Sequence, residues 1–140
     1  MHSVTYKIMK FLSIFAALLL SICAFAQQPK DEATMEKEFR EALDKEVERL
    51  TDLLQLEDWQ VFYTDSILTA NSYGRKDEMM DMNKRKVSNS DAYAQVSDKW
   101  MEKTYVAFQQ IFNEEQWAKY NKTGALKEKK ARDKRAAKLK

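Results

Sequence analysis

Apolar and polar positions follow a helical period along most of this chain. From Thr34, apolar residues recur every three or four positions, with Glu and Lys in many of the places between them. This is the pattern of an amphipathic helix that has one apolar stripe. The stripe consists of Met35, Phe39, Leu43, Val47, Leu50 and Leu54. The pattern therefore predicts a first helix that ends near Leu54.

A second helix is predicted to begin within residues 56–60, where Glu57 and Asp58 suit the positive end of a helix dipole. Its apolar stripe would contain Trp59, Phe62, Tyr63, Ile67 and Ala70. Residues 71–74 predict its end, because Gly74 can adopt the left-handed conformation of a C-terminal cap. Residues 75–87 then predict a further helical segment with a weak apolar face.

The strongest helical pattern begins at Tyr93. Segment 88–91 before it is either a break or a helix start capped by Ser90. Two adjacent lines of apolar residues predict a wide stripe that packs against a core. They are Val96, Trp100, Ala107 and Ile111, beside Met101, Tyr105, Phe108 and Phe112.

Another helix is predicted to start at Asn113, which is a good N-cap. Gln116, three residues later, can reach back to the Asn113 backbone amide and complete a capping box. Trp117 and Tyr120 follow on one side, and Gly124 offers a stop.

Turn-forming residues are scarce, with two Gly and one Pro among 140 residues. Hairpins and sandwiches need such residues at most connections, so an all-β fold is disfavoured. We therefore predict an all-α fold, a small bundle or a bent, elongated arrangement of three to four helices.

The N-terminal residues predict export. A basic start with Lys7 and Lys10, a short apolar stretch and Ala24-Phe25-Ala26 are the three parts of a secretory signal peptide. We predict a signal peptide at 1–26, a leader at 27–33 and a periplasmic or secreted protein. A retained anchor and a lipoprotein modified at Cys23 are the alternatives.

Cleavage after residue 26 would remove His2 and Cys23, the only histidine and the only cysteine of the chain. The remaining chain would have no imidazole base, no thiolate nucleophile and no nitrogen or thiolate metal ligand. We therefore expect a protein that is not an enzyme and that holds no metal or cofactor.

Charge is segregated along the predicted mature chain. Residues 27–121, which include the helical domain predicted at 34–121, hold 13 Lys+Arg and 20 Asp+Glu, whereas the C-terminal tail at 122–140 holds 9 and 2. The tail is predicted to be a frayed helix or a disordered arm that could bind an anionic surface. Its candidate contacts are Lys127, Lys129, Lys130, Arg132, Lys134 and Arg135. Nucleic acid is not the expected partner of an exported tail.

Flexible apolar side chains suggest a surface for unfolded or apolar protein segments. The candidate contacts are Phe62, Met79, Met80 and Met82. Methionine is flexible and polarizable, which suits promiscuous recognition. Gap filling at a helix interface and a thioether Cu(I) site are the alternatives for the methionines.

Two segments share the order apolar, polar, x, x, Gln, and each stands at a predicted helix start. They are Leu56-Glu57-Asp58-Trp59-Gln60 and Phe112-Asn113-Glu114-Glu115-Gln116. They resemble the LTxxQ motif of the periplasmic Spy/CpxP-like family, which usually carries two copies. Glu57 and Asn113 stand where that motif has threonine, and Phe112 stands where it has leucine.

The resemblance implies a bent helical protein that is often a homodimer. It also implies an ATP-independent chaperone or an envelope-stress-associated protein, which captures exposed apolar segments of clients on a concave face. The alternative function is a structural or envelope-tethering module that acts through the basic tail.

Overall fold

A computed structural model describes residues 30–139 of the chain. The predicted signal peptide and residues 27–29 of the leader lie outside the described residues. Three long helices are followed by a kinked helical segment, and residues 30–139 contain no strand. The elements are α1 Glu32–Leu54, α2 Asp58–Lys84, α3 Ser90–Ile111, α4 Glu114–Tyr120, a π-helical turn Asn121–Ala125 and α5 Leu126–Ala137. The all-α prediction is confirmed.

The chain divides into two units, with the boundary between Glu38 and Phe39. In the first unit, α1 begins at Glu32, two residues before the predicted helical start at Thr34. Asp31 Oδ1 accepts the Thr34 backbone N–H at 2.7 Å. Hydrogen bonds from the Thr34 side chain and from its backbone N–H lower the pKa of the Asp31 carboxyl. The negative charge of Asp31 therefore stabilises the start of α1, because a carboxylate stabilises the free amides of a first turn.

The core of the second unit lies where α1, α3 and α4 approach each other. Leu50, Leu54, Phe108 and Phe112 form its fully buried cluster. The Phe108 and Phe112 rings stack at 5.0 Å between centroids, and Tyr120 meets both rings edge-on. The predicted stripes of α1 and α3 therefore do face a core through these residues.

The predicted helix end at Gly74 is wrong, because α2 runs without a break to Lys84. Gly74 instead allows close packing: a Cβ at this position would lie 2.3 Å from Cη2 of Trp100. The glycine gives α3 room to place an indole ring against the backbone of α2. Packing between helices has overridden the local preference of glycine for a helix end.

Both α1 and α2 end in a left-handed residue that is not glycine. Gln55 has φ 51° and Lys86 has φ 57°. After each, a backbone N–H reaches back across the turn, from Leu56 to Thr51 O at 3.2 Å and from Val87 to Met82 O at 3.0 Å. These 6→1 bonds are those of the Schellman motif.

The cap of α3 is one residue earlier than predicted. Asn89 is the N-cap, and its side chain accepts the Asp91 N–H at 2.9 Å, whereas Ser90 is the first helical residue. Ser90 is therefore not the cap, since the Asn89 side chain already binds the free amide.

The C-terminal segment departs most from its prediction. Gly124 takes φ 102° and kinks the chain, so the predicted stop lies at a real break in direction. The chain then forms α5, which packs on α3. A frayed or disordered tail is therefore wrong for residues 126–137.

Candidate functional site

An aromatic patch lies in solvent at the beginning of α2. We define the patch as Trp59, Phe62 and Tyr63, whose exposed fractions are 48%, 66% and 50%. The Tyr63 ring lies 5.5 Å from the Phe62 ring and 6.3 Å from the Trp59 ring, in edge-on geometry. Three large aromatic side chains are thus held together without burial, which is the kind of feature that marks a partner surface.

The predicted stripe of α2 therefore has its first three residues on the wrong side. The side that faces inward carries Gln60, Thr64 and Ile67, at spacings of four and three residues. A helix places such residues on one face, so Phe62, two positions after Gln60, points away from it, and Trp59 and Tyr63 lie at its edge with about half of their surface in solvent. Sequence pattern alone suggested the aromatic face, because aromatic residues are the more usual core residues.

The burial of Gln60 determines how α2 is rotated about its own axis. Gln60 and Gln116 are 3% and 6% exposed, and their side-chain amides bind each other. Gln60 Nε2 donates to Gln116 Oε1 at 2.7 Å, and Gln116 Nε2 donates to Gln60 Oε1 at 3.0 Å. The two motif copies, far apart in sequence, meet through their glutamines.

Each glutamine also satisfies backbone groups at the helix ends. Gln60 Oε1 accepts the Glu57 N–H at 3.0 Å, and Gln116 Oε1 accepts the Asn113 N–H at 3.0 Å. Gln60 Nε2 donates to Ile111 O at 2.8 Å, and Gln116 Nε2 donates to Leu54 O at 3.3 Å. The pair thus ties two helix starts to the ends of the two preceding helices.

The remaining motif residues support this arrangement. Asn113 is the N-cap of α4, and its side chain accepts the Gln116 N–H at 2.9 Å, so the predicted capping box is confirmed. Phe112 is buried in the core, and Leu56 is partly buried against it. At the other start, the Glu57 carboxylate accepts the Trp59 indole N–H at 2.6 Å. Leu56, Gln60, Phe112, Asn113 and Gln116 are therefore structural, whereas Trp59, which belongs to the first motif copy, also forms part of the exposed aromatic patch.

The methionines divide between surface and interior. Met80 is 44% exposed and Met79 is half-buried, but Met82 is only 5% exposed. Met82 is therefore wrong as a client contact, because its side chain fills the interior. Phe62 is the most accessible of the four predicted contacts.

The basic residues of α5 divide in the same way. Arg132 is 5% exposed and binds Glu102 at 3.2 Å, Lys129 binds Glu102 at 3.1 Å, and Arg135 binds Asp98 at 2.7 Å. The hydrogen bond from Arg135 lowers the pKa of Asp98. The prediction that these three residues are free to contact an anionic surface is wrong, because their ion pairs hold α5 against α3.

The other basic residues of α5 lie in solvent. Lys127, Lys130 and Lys134 are exposed, and Lys138 follows the helix. The spacings of three and four residues place all four on one side of the helical path. Within residues 30–139 none of them has a carboxylate within ion-pair distance. We call them the lysine stripe.

A cleft of about 600 Å³ opens between α1, α2, α3 and the turn after α4. Burial raises the pKa of Tyr120, which lines this cleft, to about 12, and the carboxylate of Glu46 adds to the effect. The tyrosine is therefore a neutral hydroxyl at ordinary pH.

Residues 30–139 hold no group of three or more His, Cys, Asp or Glu side chains placed to share a metal ion. None of their helices combines the length and the apolar character needed to cross a bilayer.

Comparisons with protein-family models, with curated proteins and with solved structures found no match to this chain.

Proposed function

We propose that this protein is an exported helical binding protein that captures exposed apolar segments of unfolding proteins without ATP. The observation that carries the proposal is the aromatic patch of Trp59, Phe62 and Tyr63, about half of whose surface is in solvent. A folded helical domain gains nothing in stability from leaving three adjacent aromatic rings exposed. Their exposure is explained if they bind an apolar partner.

The scaffold favours recognition with little ordering cost. Gln60, one residue after Trp59 and two before Phe62, is fixed by four hydrogen bonds that it makes to other residues. The first turn of α2 is therefore rigid, and its aromatic rings need not be ordered when a client binds.

Charge beside the patch gives the surface a preference among clients. Glu57 and Asp58 are exposed in the same turn as Trp59, and Asp65 follows Tyr63. Carboxylates near an apolar surface attract and orient segments that carry Lys or Arg next to apolar residues. The preferred clients would be basic unfolded chains.

The paired glutamines support the proposed membership in the LTxxQ-motif family. The resemblance rests on two short motif copies, and the structure brings those copies into direct contact. A chaperone-like or envelope-stress-associated role in the periplasm follows from that resemblance and from the predicted signal peptide. On that basis we propose both the family membership and the periplasmic role.

Light scattering tests the capture of clients. Reduced, aggregating lysozyme serves as a basic client, and the purified protein should delay its aggregation when no ATP is present. Phe62→Ser should reduce the effect several-fold and leave the far-UV circular dichroism unchanged, because Phe62 is 66% exposed. Val106→Ser, on α3 at 43% exposure, is the matched control. Equal activity of the two variants would contradict the proposed patch.

A second candidate function, attachment to an anionic envelope surface, is favoured by the lysine stripe. Each lysine near an anionic membrane surface contributes about 1 kcal/mol of attraction. Reversing Lys127, Lys130 and Lys134 to Glu should therefore weaken binding to phosphatidylglycerol vesicles at least about 100-fold.

The matched control for the stripe has the same net charge. It reverses the exposed residues Lys45, Lys84 and Lys86, none of which lies on α5. If both triple variants lose vesicle binding equally, general charge is responsible and the stripe has no specific role. Cosedimentation with vesicles measures the difference.

A further inference from the structure

The cleft beside Tyr120 has one wall that suits an apolar group. Leu43 of α1, Leu68 of α2 and the α3 side chains Trp100, Met101 and Tyr105 all line it. Its volume of about 600 Å³ lies within the range typical of small-molecule sites. None of the aromatic-patch residues lines it, so this space is separate from the proposed client surface.

Positively charged residues outnumber negatively charged residues in the lining of the cleft. Four cations line it, Arg49, Arg75, Lys127 and Arg132, against the two carboxylates Glu46 and Glu128. Arg49 is neutralised by Glu46 at 2.7 Å, and Arg132 is neutralised by Glu102 at 3.2 Å.

Arg75 is the exception among these arginines. It is half-buried, and across residues 30–139 no carboxylate lies within ion-pair distance of its guanidinium. Arginine is rarely taken from water without a partner, since the loss of hydration must be compensated. A bound anion would supply that compensation and would accept two hydrogen bonds from the planar guanidinium.

Neutral residues that can donate hydrogen bonds also line the cleft. Ser72 stands one helical turn before Arg75 on α2, and both residues line the cleft. Tyr120 lines it as well, and its hydroxyl stays protonated at ordinary pH, so it is a donor rather than an anion. The cleft thus combines an apolar wall with a guanidinium and hydroxyl groups.

We propose that this cleft binds an amphiphilic organic anion, a medium- or long-chain carboxylate, with the chain against Leu68 and Trp100 and the carboxylate on Arg75. The proposal does not depend on capture of clients, because it uses a different side of α2. It assigns the protein a second, small-molecule ligand.

Isothermal titration calorimetry with three probes tests the two halves of the ligand separately. Decanoate has both chain and charge, 1-decanol has the chain alone and acetate has the charge alone. We expect decanoate to bind, acetate to give no detectable heat of binding, and decanol to bind about tenfold more weakly than decanoate, as loss of a charge-assisted hydrogen bond implies. Equal affinities for decanoate and decanol, or no binding of decanoate, would overturn the proposal.

Variants on α2 locate the site. Arg75→Gln should lower the decanoate affinity about tenfold and leave the decanol affinity unchanged. Arg85→Gln is the matched control, since Arg85 is the exposed C-cap of the same helix and pairs with Asp81 at 2.9 Å. Equal effects of the two variants on the decanoate affinity would show that Arg75 does not contact the ligand.

A third variant separates this proposal from the proposed function. Phe62→Ser should reduce the suppression of lysozyme aggregation and keep the decanoate affinity of the unaltered protein. If it abolished decanoate binding, the fatty chain would be binding to the aromatic patch, and the cleft proposal would be overturned.

Discussion

The starts of α2 and α4 use the same capping chemistry and present opposite surfaces. In both, a buried glutamine at the third helical position accepts the N–H of the N-cap residue at 3.0 Å. In α4 the aromatic residues that follow, Trp117 and Tyr120, stack at 5.6 Å and pack on the core. In α2 the aromatic residues around the glutamine stay in solvent.

Register relative to the glutamine explains the difference. A residue four positions after the glutamine lies on the same helix face and is directed inward. That position is Tyr120 in α4 and Thr64, fully buried, in α2. Phe62 comes two positions after its glutamine and therefore points nearly the opposite way. One capping motif can thus build a core or leave aromatic residues exposed, depending on where the aromatic residues stand.

The largest test of this comparison removes the shared glutamine pair. Gln116→Leu loses the bonds to Gln60, Leu54 O and Asn113 N–H, and we expect the free energy of unfolding to fall by about 3 kcal/mol. Gln60→Leu should cost a similar amount. Urea denaturation followed by far-UV circular dichroism measures both values.

The double variant measures how strongly the two starts are coupled. Gln60→Leu combined with Gln116→Leu should cost about 1–2 kcal/mol less than the two single effects together, since the two mutual bonds are lost only once. Simple additivity would mean that each glutamine acts on its own helix. The glutamine pair would then not link the starts of α2 and α4 energetically.

Local signals predicted the parts of the fold that depend on near neighbours in sequence. The helical spacing of Leu43, Leu50 and Leu54 gave the inner face of α1 correctly. The capping box of Asn113 and Gln116 needs only residues three apart, and it was predicted. Such features depend on interactions within one or two helical turns.

The larger failures involve partners that are distant in sequence. The rotation of α2 depends on Gln116, 56 residues away from Gln60, and the continuity of α2 at Gly74 depends on Trp100. The order of α5 depends on Arg132 with Glu102 and on Arg135 with Asp98. No spacing rule within one segment contains this information, so the aromatic patch and the cleft beside Tyr120 could not be predicted from the pattern.

A second test uses pH and the inward-facing aromatic residue of α4. Burial, with a contribution from Glu46, raises the pKa of Tyr120 to about 12, above the value of about 10 expected in the unfolded chain. The folded state therefore favours the protonated phenol, and this stabilisation is complete below pH 10 and disappears as pH rises through 12. The loss is at most about 3 kcal/mol.

Replacement of the tyrosine isolates that effect. Tyr120→Phe should show a smaller fall in urea midpoint from about pH 9 to about pH 11 than the unaltered protein. Tyr63→Phe, in the exposed patch of α2, is the matched control and should keep the full fall. The same pH dependence in all three proteins would show that Tyr120 is not the group responsible.

The smallest test exchanges the caps themselves. Both N-cap side chains take part in a capping box, but the Asn113 side chain binds the Gln116 N–H at 2.9 Å, whereas the Glu57 carboxylate is also engaged by the Trp59 indole. Asn113→Ala should therefore cost about 1 kcal/mol, and Glu57→Ala should cost less than about 0.5 kcal/mol. Glu57→Asn should give α2 the better cap and stabilise the protein by about 0.5 kcal/mol, measured by the same urea transitions. A larger loss of unfolding free energy for Glu57→Ala than for Asn113→Ala would mean that the Glu57 carboxylate stabilises the first turn of α2. The two helix starts would then differ in capping as well as in the position of their aromatic residues.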